Sequence, residues 1–250
     1  MKKKTKHTIM IGVFLVSLSI LLHYVHYLIF RDAHHTLIFL VSDIAFIPME
    51  VFITSMILDR ILEKRDHDSI IEKVNMLIGV FFTELGTDLL SLIILGDNHL
   101  EDLREDSTIT KNGETIAFDK LQKDISKHHF KIDISKIDLL QLKEKLDANK
   151  DLFITLITNN NLHINEDFTE MLMSLMHLRE ELDTRYCTNI KDYELKHIEQ
   201  DISRAYKFLT KEWAEYMKYL NQNYPSLFSK ALINNPFDNR CKKEKDLLYI

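Results

Sequence analysis

The chain opens with two long apolar runs and then changes to a helical alternation of apolar and charged positions that lasts almost to its end. From Thr8 to Phe30, 23 residues pass without an Asp, Glu, Lys or Arg. As a helix that run is about 35 Å long, enough to cross a hydrocarbon core of about 30 Å. Arg31 to His35 interrupt it, and a second apolar run extends from Thr36 to Leu58. So short a connection predicts two antiparallel neighbours, with spans at about 8–30 and 36–58. The basic start MKKKTK also suits a signal peptide, but the apolar run is too long for one and no small-x-small cleavage site follows.

After residue 58 the pattern is amphipathic. Ile78, Phe81, Leu85, Leu89, Leu92 and Ile93 form a wide helical stripe, with Asn75, Gly79, Thr83 and Thr87 as a small-polar strip beside it. Residues 74–95 are apolar enough for a third span, but the stripe reads as a central core helix. Gly96 ends it, and residues 97–117 read as a polar connection with at most one short helical turn, including a turn at Lys111–Glu114. Patterning resumes at Phe118, Leu121 and Ile125, breaks around 128–135, and continues as a helix over about 136–158. Asn165 before Glu166 and Asp167 predicts a capped start for the stripe Phe168, Met171, Leu172, Leu175, Leu182 and Tyr186. After a break near Cys187–Asn189, the longest helix runs from Lys191 to Asn221, and a short one lies between Pro225 and Pro236. The prediction is an all-α fold: a two-helix transmembrane hairpin (1–60), a cytosolic helical bundle (61–235) and a frayed, charged tail (236–250).

Composition sharpens this. Five Gly and three Pro in 250 residues are too few for an all-β chain with many tight turns. The mean hydropathy of −0.13 is ordinary and conceals the greasy N-terminal quarter. Beyond residue 58 the charges are 27 Lys and Arg against 35 Asp and Glu, which argues against nucleic acid as a partner. Lys2, Lys3, Lys4 and Lys6 precede the first span, and Arg60, Lys64 and Arg65 follow the second. Both termini are therefore expected in the cytoplasm, with a multi-pass location in the cell (inner) membrane. Cys187 and Cys241 provide no framework and no metal-type spacing.

Candidate chemistry is sparse. Asp43 and Glu50, seven residues apart in the second span, share nearly one face, with Pro48 between them. An ionised carboxylate facing lipid costs about 2.5–3.5 kcal/mol, so these side chains should meet protein or water. In a hairpin closed around residue 33, Asp43 lies level with His23. These three intramembrane residues read either as a polar clamp for register and oligomer contacts or as a proton- or cation-sensitive site. His26, His34, His35 and Asp32 add metal-ligand types nearby, but no cofactor is expected. Glu84 and Asp88 at i, i+4 read as surface or ion-paired carboxylates, Glu194-x-x-His197 lacks a partner motif, and His128-His129 reads as solvated. No phosphate-cradling, nucleophile-elbow or zincin motif occurs.

The segments HYLIFRDAHHTLIFLVSDIAFIPMEVFITSMIL, NEDFTEMLMSLMHLREEL and EWAEYMKYLNQNYPSLFSKALINNPFD resemble a family of uncharacterised prokaryotic membrane proteins. The resemblance covers most of the chain and implies a two-span anchor with a helical cytosolic domain, without an activity. The expectation is a non-enzymatic scaffold, sensor or interaction protein in the lipid bilayer, self-associating or binding a protein partner. The unbroken run from the second span into the domain suits transmission of a movement. An oligomeric channel or transporter with Asp43 and Glu50 facing the pore is the alternative, and a metal-dependent enzyme is the third reading.

Overall fold

In the computed structural model, residues 2–107, 117–185, 192–241 and 243–245 are described. Among them every regular element is helical, apart from one antiparallel bridge between Asp97 and Ile132. The chain divides into two compact units, residues 1–66 and 67–250. The expected turn at Lys111–Glu114 and the break at Cys187–Asn189 lie outside the described residues, as does Tyr186.

The first unit is made of α1 (Lys2–Phe30) and the first part of α2 (Ala33–Phe81). Only Arg31 and Asp32 separate them, fewer than the five residues expected, because His34 and His35 already belong to α2. Two caps explain so tight a turn. Arg31 takes the left-handed conformation (φ 48°), and its amide donates to the Tyr27 carbonyl at 2.8 Å, closing α1. Asp32 Oδ1 then accepts from the His34 and His35 amides at 2.9 and 3.2 Å, opening α2. Pro48 sits inside α2 without ending it. Large apolar side chains of both helices, from Ile9 through Leu62, are 39–68% exposed, and no residue of 9–66 is buried.

The second unit has a core of its own. Val74, Ile78 and Phe81 at the end of α2 are buried, followed by a π-helical turn Phe82–Gly86 and α3 (Thr87–Ile93). Leu85, Leu89 and Ile93 are 0–1% exposed, so residues 74–95 form a core helix of this unit. Phe81 meets the rings of Phe82, Phe153 and Phe168 with centroids 5.2, 6.5 and 5.5 Å away. The two long helices α8 (Glu166–Arg185) and α9 (Asp192–Asn223) pack along each other on their expected stripes, with Phe168, Leu175, Leu182, Ile202 and Leu209 at 0–1% exposure. Asn165 caps α8 as its position predicts, accepting from the Phe168 amide at 2.9 Å.

Three local expectations are corrected. The polar connection after Gly96 contains a two-turn helix, α4 (Leu100–Ser107), which buries Leu100 and Leu103 and packs on α5 (Phe118–Lys127). The helix expected over 136–158 is two, α6 (Leu139–Ala148) and α7 (Lys150–Ile157). They separate at Asn149 (φ −107°, ψ 19°), whose side-chain amide donates to the Lys145 carbonyl. After α10 (Pro225–Ile233) the tail is held rather than frayed as far as Lys245. Phe237 is 1% exposed against Trp213, and Asn235 Nδ2 donates to the Ser107 carbonyl at 2.7 Å.

Candidate functional site

Within the hairpin the structure brings His23 and Asp43 together, with Nε2 and Oδ2 3.9 Å apart. His23 Nδ1 lies 3.0 Å from the Ser19 carbonyl one turn earlier. A carbonyl oxygen only accepts, so Nδ1 carries a proton, and in the neutral ring Nε2 would then be a bare acceptor facing a carboxylate. The side chains of the pair remain 37% and 69% exposed in the single chain, and Glu50, one heptad further along, is also exposed.

The other histidines of the hairpin do not converge. His26 and His35 stack as parallel rings 5.8 Å apart, with His35 edge-on to Phe39 at 4.8 Å, while the Asp32 carboxylate is engaged in capping α2. Among the described residues no three His, Cys, Asp or Glu side chains gather as metal ligands would. Asp88 pairs with Lys145 on α6, and Glu84 and His197 are exposed.

Two further polar clusters lie in the second unit. Asp97, just beyond Gly96, accepts at Oδ2 from His128 Nε2 at 2.8 Å and from the Tyr206 hydroxyl at 2.9 Å, and at Oδ1 from the His99 amide at 2.8 Å. Far from being solvated, the His128 side chain is 2% exposed, packed under Phe130. Burial would raise the Asp97 carboxyl, but the three hydrogen bonds and the His128 charge outweigh it and hold it below the usual range. Burial, followed by the Asp97 charge, pushes the Tyr206 hydroxyl far up, so it stays a donor. This cluster fastens α4's approach, the 128–132 segment and α9 into one block.

Glu212 on α9 is 2% exposed and borders a cavity of about 410 Å³ lined also by Asn165, Asp167, Lys211 and Glu215. Burial pushes its carboxyl up to about 7, with the Asp167 charge adding and Lys211 opposing. Lys211 is itself engaged by Asp167 at 2.6 Å.

Residues 2–62 match the family described as "MJ1433, N-terminal helical domain", and residues 70–233 match "Uncharacterized protein MJ1433, C-terminal helical domain". A relative from Methanocaldococcus jannaschii, "Uncharacterized protein MJ1433", is 36% identical over 236 residues, covering 94% of this chain and 95% of the relative. No solved structure matches.

Proposed function

We propose, for a chain that belongs to the MJ1433 family of helical proteins, the role of a membrane-anchored helical interaction protein. In this reading α1 and the first part of α2 cross the cell membrane as a pair. Both termini lie in the cytoplasm, and the second unit serves a non-enzymatic scaffold or sensor role there.

One observation carries the reading. The apolar runs of α1 and of the first part of α2, each long enough to span, keep their large apolar side chains 39–68% exposed, while the second unit closes a core of its own. Burial is worth about 25 cal/mol per Å² of apolar surface, so water is a poor solvent for such a pair and lipid a good one. Arg60, Lys64 and Arg65 after the second apolar run favour a cytoplasmic exit.

Self-association follows from the acids. Asp43 and Glu50 are uncovered in one chain, and each ionised carboxylate facing lipid would cost about 2.5–3.5 kcal/mol. A second copy that brings polar partners such as its own His23 against this face lowers that cost. The test is the size of the full chain in nanodiscs of excess lipid, measured for the native protein and for Asp43→Leu with Glu50→Leu. A native oligomer that the double variant weakens supports the reading, whereas a native monomer with both acids intact overturns it. The same uncovered pair favours a second reading, an oligomeric channel or transporter with both acids on the pore. That reading requires cation flux in proteoliposomes that Asp43→Asn and Glu50→Gln abolish.

A further inference from the structure

We propose that the long groove of the second unit, between the α2–α3 wall and the α9–α10 wall, is a binding site for a single-chain amphiphile with a neutral or zwitterionic head. The groove encloses about 990 Å³, at the upper end of the range of small-molecule sites. Its floor is aromatic and aliphatic: Phe82, Trp213, Tyr216, Met217 and Leu220. Met76, Val80 and Leu227 on its edges are 62%, 47% and 52% exposed, so apolar surface continues from floor to rim.

The α2 wall is hollowed by its sequence. Asn75, Gly79, Thr83 and Thr87 recur every four residues and all line the groove. A Cβ built on Gly79 would meet only Tyr216 Cε2, at an ordinary 3.5 Å, so packing does not forbid a side chain there. A helix-interior glycine costs about 1 kcal/mol relative to alanine. What its bareness provides here is open space above the groove floor. The π-helical turn Phe82–Gly86 lies midway along the same wall, with Thr87 Oγ1 donating to the Phe82 carbonyl at 2.8 Å. Such turns widen a helix locally and are frequent at functional positions.

Asn75 aside, the groove passes from apolar to polar lining along its length. Met76 and Val80 stand at the end nearer the start of the wall, and Glu84, Asp88 and Ser91 at the other. Lys230 and Asn234 of α10 provide further polar lining. A docked amphipathic helix varies in polarity around its axis and wants one apolar floor with polar rims on both sides. An amphiphile varies from tail to head, which is the variation found. Asp88 is already paired with Lys145, and the opposite signs of Glu84 and Lys230 suit a head without net charge. From Asn75 to Ser91 the wall is about 24 Å long. One lipid chain, about half of a 30 Å hydrocarbon core, takes up roughly 15 Å of that and leaves the rest for a head.

Trp213 is the single tryptophan of the chain and lies in the groove floor, so it reports occupancy directly. The full chain in nanodiscs is titrated with dibromostearoyl lysophosphatidylcholine, whose bromines quench tryptophan at short range. Incorporation into the discs is scored separately, so failure of the membrane reading is not confused with failure of this one. Saturable quenching of Trp213 is expected, weakened severalfold in Gly79→Leu and in Thr83→Leu, whose side chains fill the groove. Leucine is a better helix former than either residue it replaces, and unchanged helical circular dichroism confirms folding of both variants. Absent or non-saturable quenching overturns the proposal, as does equal quenching in native and both variants. Disulfide cross-linking between copies through Leu227→Cys, without lipid quenching, assigns the groove to a second copy and also overturns it.

Discussion

Replacing Glu212 with Gln isolates the contribution of one buried charge. Glu212 is 2% exposed, and its carboxyl is shifted from an ordinary 4.5 to about 7, first by burial and then by Asp167. A folded-state value above the unfolded one means that stability is greatest below about pH 4.5 and is lost as pH rises through about 7. Above that the ionised carboxylate costs roughly 3 kcal/mol, at about 1.4 kcal/mol per tenfold change. Gln keeps the shape and the capacity to hydrogen-bond Asn165, and it cannot ionise. Glu212→Gln should therefore raise the stability of the second unit by about 3 kcal/mol at about pH 8, and by less than about 1 kcal/mol at about pH 5. For a domain of this size, 1 kcal/mol moves the midpoint by about 2–4 °C, so the gap at the higher pH is about 6–12 °C. The assay is thermal unfolding of the full chain in nanodiscs, followed through the emission of the adjacent Trp213. A gap independent of pH, or a variant less stable than native at about pH 8, would refute the argument.

Other substitutions test the core and the buried hub. Phe81→Ala removes a fully buried ring that meets three other phenylalanines, and should cost about 3–5 kcal/mol in chemical denaturation. Tyr206→Phe deletes one of the three hydrogen bonds to Asp97 while leaving the other two, and should cost about 1–2 kcal/mol. The same variant should leave nanodisc incorporation unchanged. Gly96→Ala places a Cβ 2.7 Å from Ile132 Cγ2 and 3.0 Å from the Asp133 carbonyl oxygen. The overpacking should lower stability by about 1–3 kcal/mol and speed exchange of the Asp133 amide, which donates to Gly96 at 2.8 Å.

How much could be read in advance depended on whether the information was local. The α8 and α9 stripes are periodic over many turns, so their buried positions follow from spacing alone. The Asn165 cap was legible because its acceptor and the Phe168 amide are three residues apart. In contrast, His128 and Tyr206 are 31 and 109 residues from Asp97, and nothing near any of the three marks them as partners. Helix α4 shows little periodicity because LEDLREDS is mostly charged, and Leu100 and Leu103 are its buried apolar side chains. Glu212 has a local signature: Ala205, Leu209, Glu212 and Tyr216 fall at helical spacing on one face, which places a carboxyl among apolar side chains. The conspicuous charges of the tail suggest fraying, whereas Phe237 and Asn235, just before them, hold it. His23 and Asp43 came together because a hairpin with a near-central turn leaves little freedom of register.

Cysteine accessibility in sealed, right-side-out cells tests most directly whether the hairpin crosses a bilayer. Single-cysteine variants are compared, one with Ala33→Cys at the turn between α1 and α2, the other keeping only Cys241, which is exposed in the second unit. A membrane-impermeant maleimide should label the turn cysteine in intact cells and Cys241 only after lysis. Labelling of Cys241 from outside, or of neither site until the cells are opened, would contradict the proposed topology.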